Sequence, residues 1–130
     1  MNHMSAPATQ HRDQALRIRS VPRAERARFE AAMAMAFSTD PAARWAWPDP
    51  LQFPTIFRPL VTLFGGKSFD HGSALVVGDY FGVAQWLPPG VLPEDGPIGG
   101  LFERNMSGPK LGELLFLFEQ MAGFHPREPH

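Results

Sequence analysis

The chain has no cysteine among its 130 residues, which excludes disulfides and thiolate nucleophiles and fits a reducing, cytoplasmic setting. It has little net charge. Twelve basic side chains stand against 13 acidic ones, so there is no overall field to hold nucleic acid or an anionic membrane surface. Apolar runs stay well short of the roughly 20 residues that span a bilayer, and residues 1–14 lack the apolar core of a secretion signal. Catalytic signatures are equally scarce. There is no serine, histidine and acid set and no pair of metal ligands at helical spacing. Neither Gly65-Gly66 nor Gly96, Gly99 and Gly100 opens a helix after a strand, as a phosphate-binding turn requires. His125 and His130 have no third ligand near them, and the single tyrosine, Tyr80, falls in an expected turn, a poor place for a general acid.

What the chain does have is punctuation. Fourteen prolines and 12 glycines fall at plausible element boundaries without a repeat period, and the length suits one domain with a real core. The organising stretch is 73–90. β-Branched and aromatic residues flank Gly78-Asp79, predicting strands over 74–77 and 81–87 joined by a turn, with Pro88-Pro89-Gly90 ending the second. Alternation sends Phe81, Val83 and Leu87 to one face and Gly82, Ala84 and Trp86 to the other. A hairpin of this size is marginal alone and needs helices and a further strand beside it.

The rest of the chain supplies them. A polar lead at 1–13 is expected to be disordered, and alternation of Leu16, Ile18 and Val21 with Arg17 and Arg19 predicts a first strand over 14–21. Pro22 then opens a helix with Ser20 or Val21 near its cap. Phe29, Ala32, Met33, Ala36 and Phe37 form its apolar stripe, while Arg23, Arg26 and Arg28 share a solvated face with Glu25 and Glu30. Asp40-Pro41 starts a short helical turn to residue 47, and Asp49-Pro50 repeats the signal. Phe53, Ile56, Phe57, Leu60, Val61 and Phe64 trace the next helix, kinked at Pro59 and capped by Gly65-Gly66. Residues 91–108 read as a long loop with at most a short turn over 101–104. A final helix over 110–121 presents Leu111, Leu114, Leu115, Phe118 and Met121, ending in a left-handed cap at Gly123 with Phe124 behind it. The sum is an α+β domain over 14–130, with about three antiparallel strands and three to four helices in the order β-α-α-β-β-α. The open sheet edge beside the second hairpin strand is expected to promote self-association.

Trp45 and Trp47 lie two residues apart between helices, where they suit either the wall of a substrate pocket or a lid over the core. Together with the segments Asp40-Pro41-Ala42-Ala43-Arg44-Trp45-Ala46-Trp47-Pro48-Asp49-Pro50, Phe81-Gly82-Val83-Ala84-Gln85-Trp86-Leu87-Pro88-Pro89-Gly90 and Phe118-Glu119-Gln120-Met121, and with His125-Pro126 and Glu128-Pro129-His130, the chain resembles the amino-terminal half of a GNAT-type N-acetyltransferase. The resemblance runs from about Leu16 to His130. It implies a partial GNAT fold, acyl transfer to a small-molecule amine, and acetyl-CoA as the family's cofactor. It also implies that Trp45, Trp47 and Trp86 line the acceptor pocket. Asp40, Glu119 and His125 are candidates by location for a base that deprotonates the acceptor. The usual preferences of these residues favour a helix cap for Asp40 and a solvated helix face for Glu119.

Family members of this kind continue past the histidine-proline loop into a central fourth strand, whose amide polarises the thioester, and then into a glycine loop that binds the pyrophosphate. Neither follows His130 in this sequence, so the resemblance carries over no cofactor-binding residue. The chain alone is accordingly expected neither to transfer acetyl groups nor to bind acetyl-CoA tightly. The alternatives are a truncated chain, a split enzyme completed by a second chain along the open sheet edge, or a non-enzymatic module that binds a small ligand or a partner.

Overall fold

A computed structural model describes residues 16–128, so the expected disordered lead, the first residues of the predicted strand and His130 lie outside the described residues. The hairpin forms where strand propensity is strongest. Strands β1 (Ile18–Ser20), β2 (Ala74–Val77) and β3 (Gly82–Gln85) make one antiparallel sheet in the order β1-β2-β3. Ile18 lies opposite Val77, and Val76 opposite Val83. β2 is central, and its Ala74 and Val76 face the core at 1 % exposure. The connection is longer than a two-residue turn. It runs through residues 78–81, with left-handed backbone at Gly78 (φ 57°) and, less usually for a bulky residue, at Tyr80 (φ 64°). That extra length moves the start of the second strand from the expected 81 to 82 and leaves Phe81 exposed, and the strand ends at Gln85 rather than 87. β1 is also shorter than expected, with all three residues exposed, and only the following Val21 reaches the core.

Helix α1 (Arg26–Ala36) follows a single 3-10 turn, Arg23–Glu25. Ser20 and Val21 do not cap it. Ser20 ends β1 and donates its Oγ proton to the Gly72 carbonyl oxygen at 2.7 Å. Phe29 and Ala34 are the buried residues of α1, Ala32 and Met33 of the expected stripe are half-buried, and Ala36 and Phe37 at the end of the helix are exposed, with the Phe37 ring 5.1 Å from that of Phe57. Helix α2 (Pro41–Ala46) is capped by Asp40, whose Oδ1 accepts the Ala43 amide at 2.8 Å. Asp49 instead closes a tight turn on the Leu51 amide, and α3 (Phe53–Gly65) begins without a side-chain cap.

α3 carries the heart of the core. Phe53, Ile56, Phe57 and Val61 are buried at helical spacing, and each such burial is worth about 1.5–3 kcal/mol. α3 packs against α1, and Phe29 meets Phe69 edge-on at 5.3 Å. Gly65-Gly66 does not stop the chain. Gly66 keeps right-handed geometry, a 3-10 segment runs over Gly66–His71, and the left-handed terminator is Gly72 (φ 64°).

The expected loop at 91–108 contains an 11-residue helix, α4 (Asp95–Asn105), held by burial of Leu101 and Phe102. α5 (Gly108–Ala122) is the longest helix described, yet Leu114 is its one buried residue among those described. Gly123 is right-handed (φ −64°), so the expected left-handed cap is not formed, and Phe124 stands 89 % exposed. The architecture is thus α+β in the order β1-α1-α2-α3-β2-β3-α4-α5, with five α-helices where three to four were expected.

Candidate functional site

β3 has a free side. Trp86 N donates to Ser73 O at 3.1 Å, and this register turns the main-chain groups of Gly82, Ala84 and Trp86 toward β2. The amides and carbonyls of Val83 and Gln85 therefore point away from β2, along the outer edge of the sheet. A cleft of about 720 Å³ opens beside these residues. Met33 and Phe37 from the α1 region, Leu60 and Phe64 from α3, Phe102 from α4 and Phe118 from α5 give it an apolar wall.

Three side chains with polar atoms interrupt that wall: Gln85, Trp86 and Asp95. Gln85 is fixed. Its Nε2 donates to the Val61 carbonyl oxygen at 3.3 Å, and its Oε1 is buried with no hydrogen-bond partner among the described residues. Gly65 makes this placement possible, since a Cβ there would lie 2.2 Å from Gln85 Cδ. Asp95 is exposed at the start of α4 and is the one charged residue among the described residues lining the cleft.

The expected site residues separate. Trp86 lines the cleft and is 65 % exposed. Trp47 is buried, with its ring 5.8 Å from that of Phe102 and its Nε1 without a partner among the described residues. Trp45 lies outside the cleft lining; the Lys110 ammonium stands 5.4 Å from its ring centre and donates to its carbonyl oxygen at 2.5 Å. Of the three candidate bases, Asp40 is engaged as the α2 cap, Glu119 is exposed on α5, and His125 is exposed with Nδ1 3.1 Å from the Pro126 carbonyl oxygen. None of the three lines the cleft. Sequence reasoning missed Gln85 and Asp95. Glu94-Asp95 two residues ahead of Pro97 is a helix-start signal that points to Asp95, whereas nothing local singles out Gln85.

A second polar cluster ties the hairpin turn to α1. Tyr80 Oη donates to Glu25 Oε2 at 2.6 Å, Arg19 Nη2 donates to the same oxygen at 2.8 Å, and the Arg28 guanidinium stacks 4.3 Å from the Tyr80 ring centre. The hydrogen bond from Arg19, followed by that from Tyr80, holds the Glu25 carboxyl below the usual glutamate range. Desolvation, then the bond to Glu25, pushes the Tyr80 hydroxyl up, so it keeps its proton at neutral pH. The cluster pins structure and offers no proton for transfer.

Among the described residues, no group of three or more histidine and acidic side chains could hold a metal, and no helix is long and apolar enough to cross a membrane. The cleft is a poor fit for acetyl-CoA itself. A diphosphate needs cationic side chains or bare helix-terminal amides, and the only charge among the described lining residues is a carboxylate at the start of α4. No protein-family model, curated protein or solved structure matches the chain. Chemically, the arrangement can enclose a hydrophobic ligand and hold it beside the outer edge of β3, which no strand among the described residues covers.

Proposed function

We propose that this chain is the acceptor-side part of an acetyl-CoA-dependent N-acetyltransferase of the GNAT type. The amine sits in the apolar cleft, and a further strand pairs with the outer edge of β3 and brings the thioester to it. The observation that carries this reading is that the cleft opens along Val83 and Gln85, whose main-chain groups lie outside the β2 ladder. A strand seated there would set its own amides beside the bound amine, where they could stabilise the charge that develops on the thioester oxygen. The chain alone then binds amine and transfers nothing, because orienting and polarising the thioester supply most of the rate.

Incubation of the chain with acetyl-CoA and a panel of amines is expected to release no CoA thiol above background. Co-purification with a second polypeptide that restores release supports the reading. Tight, stoichiometric binding of CoA by the chain alone, measured by calorimetry, overturns it. A non-enzymatic ligand-binding module is the second reading, favoured by the absence of a nucleophile or histidine among the described lining residues. It predicts a change in tryptophan fluorescence with ligand, no response to CoA, and no activating partner.

A further inference from the structure

We infer that a second copy of this chain pairs along β3, antiparallel and about a two-fold axis at Ala84, with Trp86 of each copy lying over Gly82 of the other. This goes beyond the proposed activity and does not depend on it. A copy and a completing strand occupy the same edge, so pairing of copies keeps such a strand out.

The edges of the sheet differ. β1 carries Arg19 and follows Arg17, and charge on an edge discourages pairing with another sheet. β3 has no such protection, because no charged residue stands between Tyr80 and Pro93, and pairing like with like therefore sets no charge against its own sign. Its outward main-chain groups belong to Val83 and Gln85, with Ala84 between them. Antiparallel pairing about Ala84 sets Val83 of each copy opposite Gln85 of the other, and each such pair exchanges both of its N–H···O bonds. An axis at Val83 would set Gln85 opposite Phe81, whose amide is already given to Val77 O. One at Gln85 would set Val83 opposite Leu87, outside β3 and next to Pro88.

The side chains fit the same register. Gly82, Ala84 and Trp86 share the face of β3 opposite to the one from which Gln85 reaches α3. Residues 82 and 86 then fall opposite each other as a non-hydrogen-bonded pair, the kind in which strands come closest. Gly82 has no side chain, so the exposed Trp86 indole of the second copy covers its bare backbone, a cross-strand pair that supports glycine in a strand. Ala84 meets Ala84 on the axis and is small enough to leave both indoles room. An edge this short covers far less than the roughly 1,600 Å² of a standard interface, so the pair dissociates on dilution, and the two-fold axis closes it at the dimer.

The test uses the full chain in sedimentation velocity. Native mass is expected to rise with concentration and level off at the dimer. Ala84→Lys and Ala84→Glu each set like charges against one another across the axis and should weaken pairing at least about tenfold, while an equimolar mixture should pair within about threefold of native. Trp86→Ser, which uncovers Gly82 in both copies, is expected to weaken pairing about fivefold. The chain has no cysteine, so Ala84→Cys gives a second readout with little change in size. Cα atoms about 4.5 Å apart across the axis permit a disulfide, and mild oxidation should link these copies at least about tenfold faster than Phe116→Cys, whose thiol stands on exposed α5 surface. The inference is overturned if the native chain stays monomeric at every concentration or grows past the dimer. It is also overturned if the charged variants, folded by circular dichroism, pair no better mixed than alone. Trp86→Ser pairing within about twofold of native, or Ala84→Cys linking no faster than Phe116→Cys, has the same force. No acetyl donor or second polypeptide enters, so the outcome stands apart from that of the proposed activity.

Discussion

At Gly65 the end of α3 approaches β3 so closely that any larger residue must displace the Gln85 side chain. Gly65→Ala is therefore expected to break the bond from Gln85 Nε2 to Val61 O and to cost about 1–3 kcal/mol, read from urea denaturation. Gln85→Ala removes the group that is struck, so the double variant should be more stable than the sum of the single losses by at least about 0.5 kcal/mol. Additive losses would show that the two residues do not share a strain. Glu25 offers a test in pH. Its folded-state pKa is depressed, so its contribution to stability is complete above the ordinary glutamate value of 4.5 and is lost as pH falls through the lowered folded value. Melting temperature plotted against pH should fall less steeply below about pH 5 in Glu25→Gln than in the native chain. Tyr80→Phe, which deletes one of the two hydrogen bonds that lower the Glu25 pKa, should give an acid limb shallower than the native one and steeper than that of Glu25→Gln. Parallel acid limbs in all three proteins would remove the cluster from the account.

Among the α-helices, α5 is the one most weakly held. It has 15 residues and buries Leu114, while α3 in 13 residues buries Phe53, Ile56, Phe57, Val61 and Gly65. Local opening costs least where least apolar surface is covered, so hydrogen exchange of α5 amides is expected to be at least about tenfold faster than that of α3 amides. Equal protection would mean that something covers α5 in solution. The same contrast explains what could be read from sequence. α3 and the hairpin were legible because period and propensity agree there: apolar residues recur every three or four positions, and Leu75, Val76 and Val77 precede a glycine turn. α4 was not legible, since Gly96, Pro97, Gly99 and Gly100 argue against a helix; Leu101 and Phe102, buried against the body of the protein, override them. The true terminator at Gly72 was hidden because a 3-10 segment uses residues that look like a cap followed by a loop. In the site, Trp86 was visible as a residue type. The placement of Gln85 was not, because it depends on a hydrogen bond to Val61, 24 residues earlier in the chain.

For the whole molecule, apolar surface and an open ladder lie on the same side. Trp86 and Phe118 line the cleft beside β3, and both are more than 40 % exposed. On α5, Met121 is 58 % exposed about one turn beyond Phe118, and Phe116, 63 % exposed, stands on the other side of that helix. Exposed apolar side chains and a strand edge left unpaired by the described residues each favour association of copies. Light scattering is accordingly expected to give a mass that rises with concentration. Two variants separate the causes. Phe116→Lys puts charge on the exposed α5 surface, and Val83→Pro removes an amide that points outward from the ladder, sparing every β2–β3 hydrogen bond. If strand edges pair, Val83→Pro should reduce the mass while the sheet signal in circular dichroism is kept. If the helical surface drives association, Phe116→Lys should do so instead. A native chain that stays monomeric over the whole concentration range would mean that the exposed aromatics of the cleft and α5 are too dispersed to hold two copies together, and would leave the cleft free for a small ligand alone.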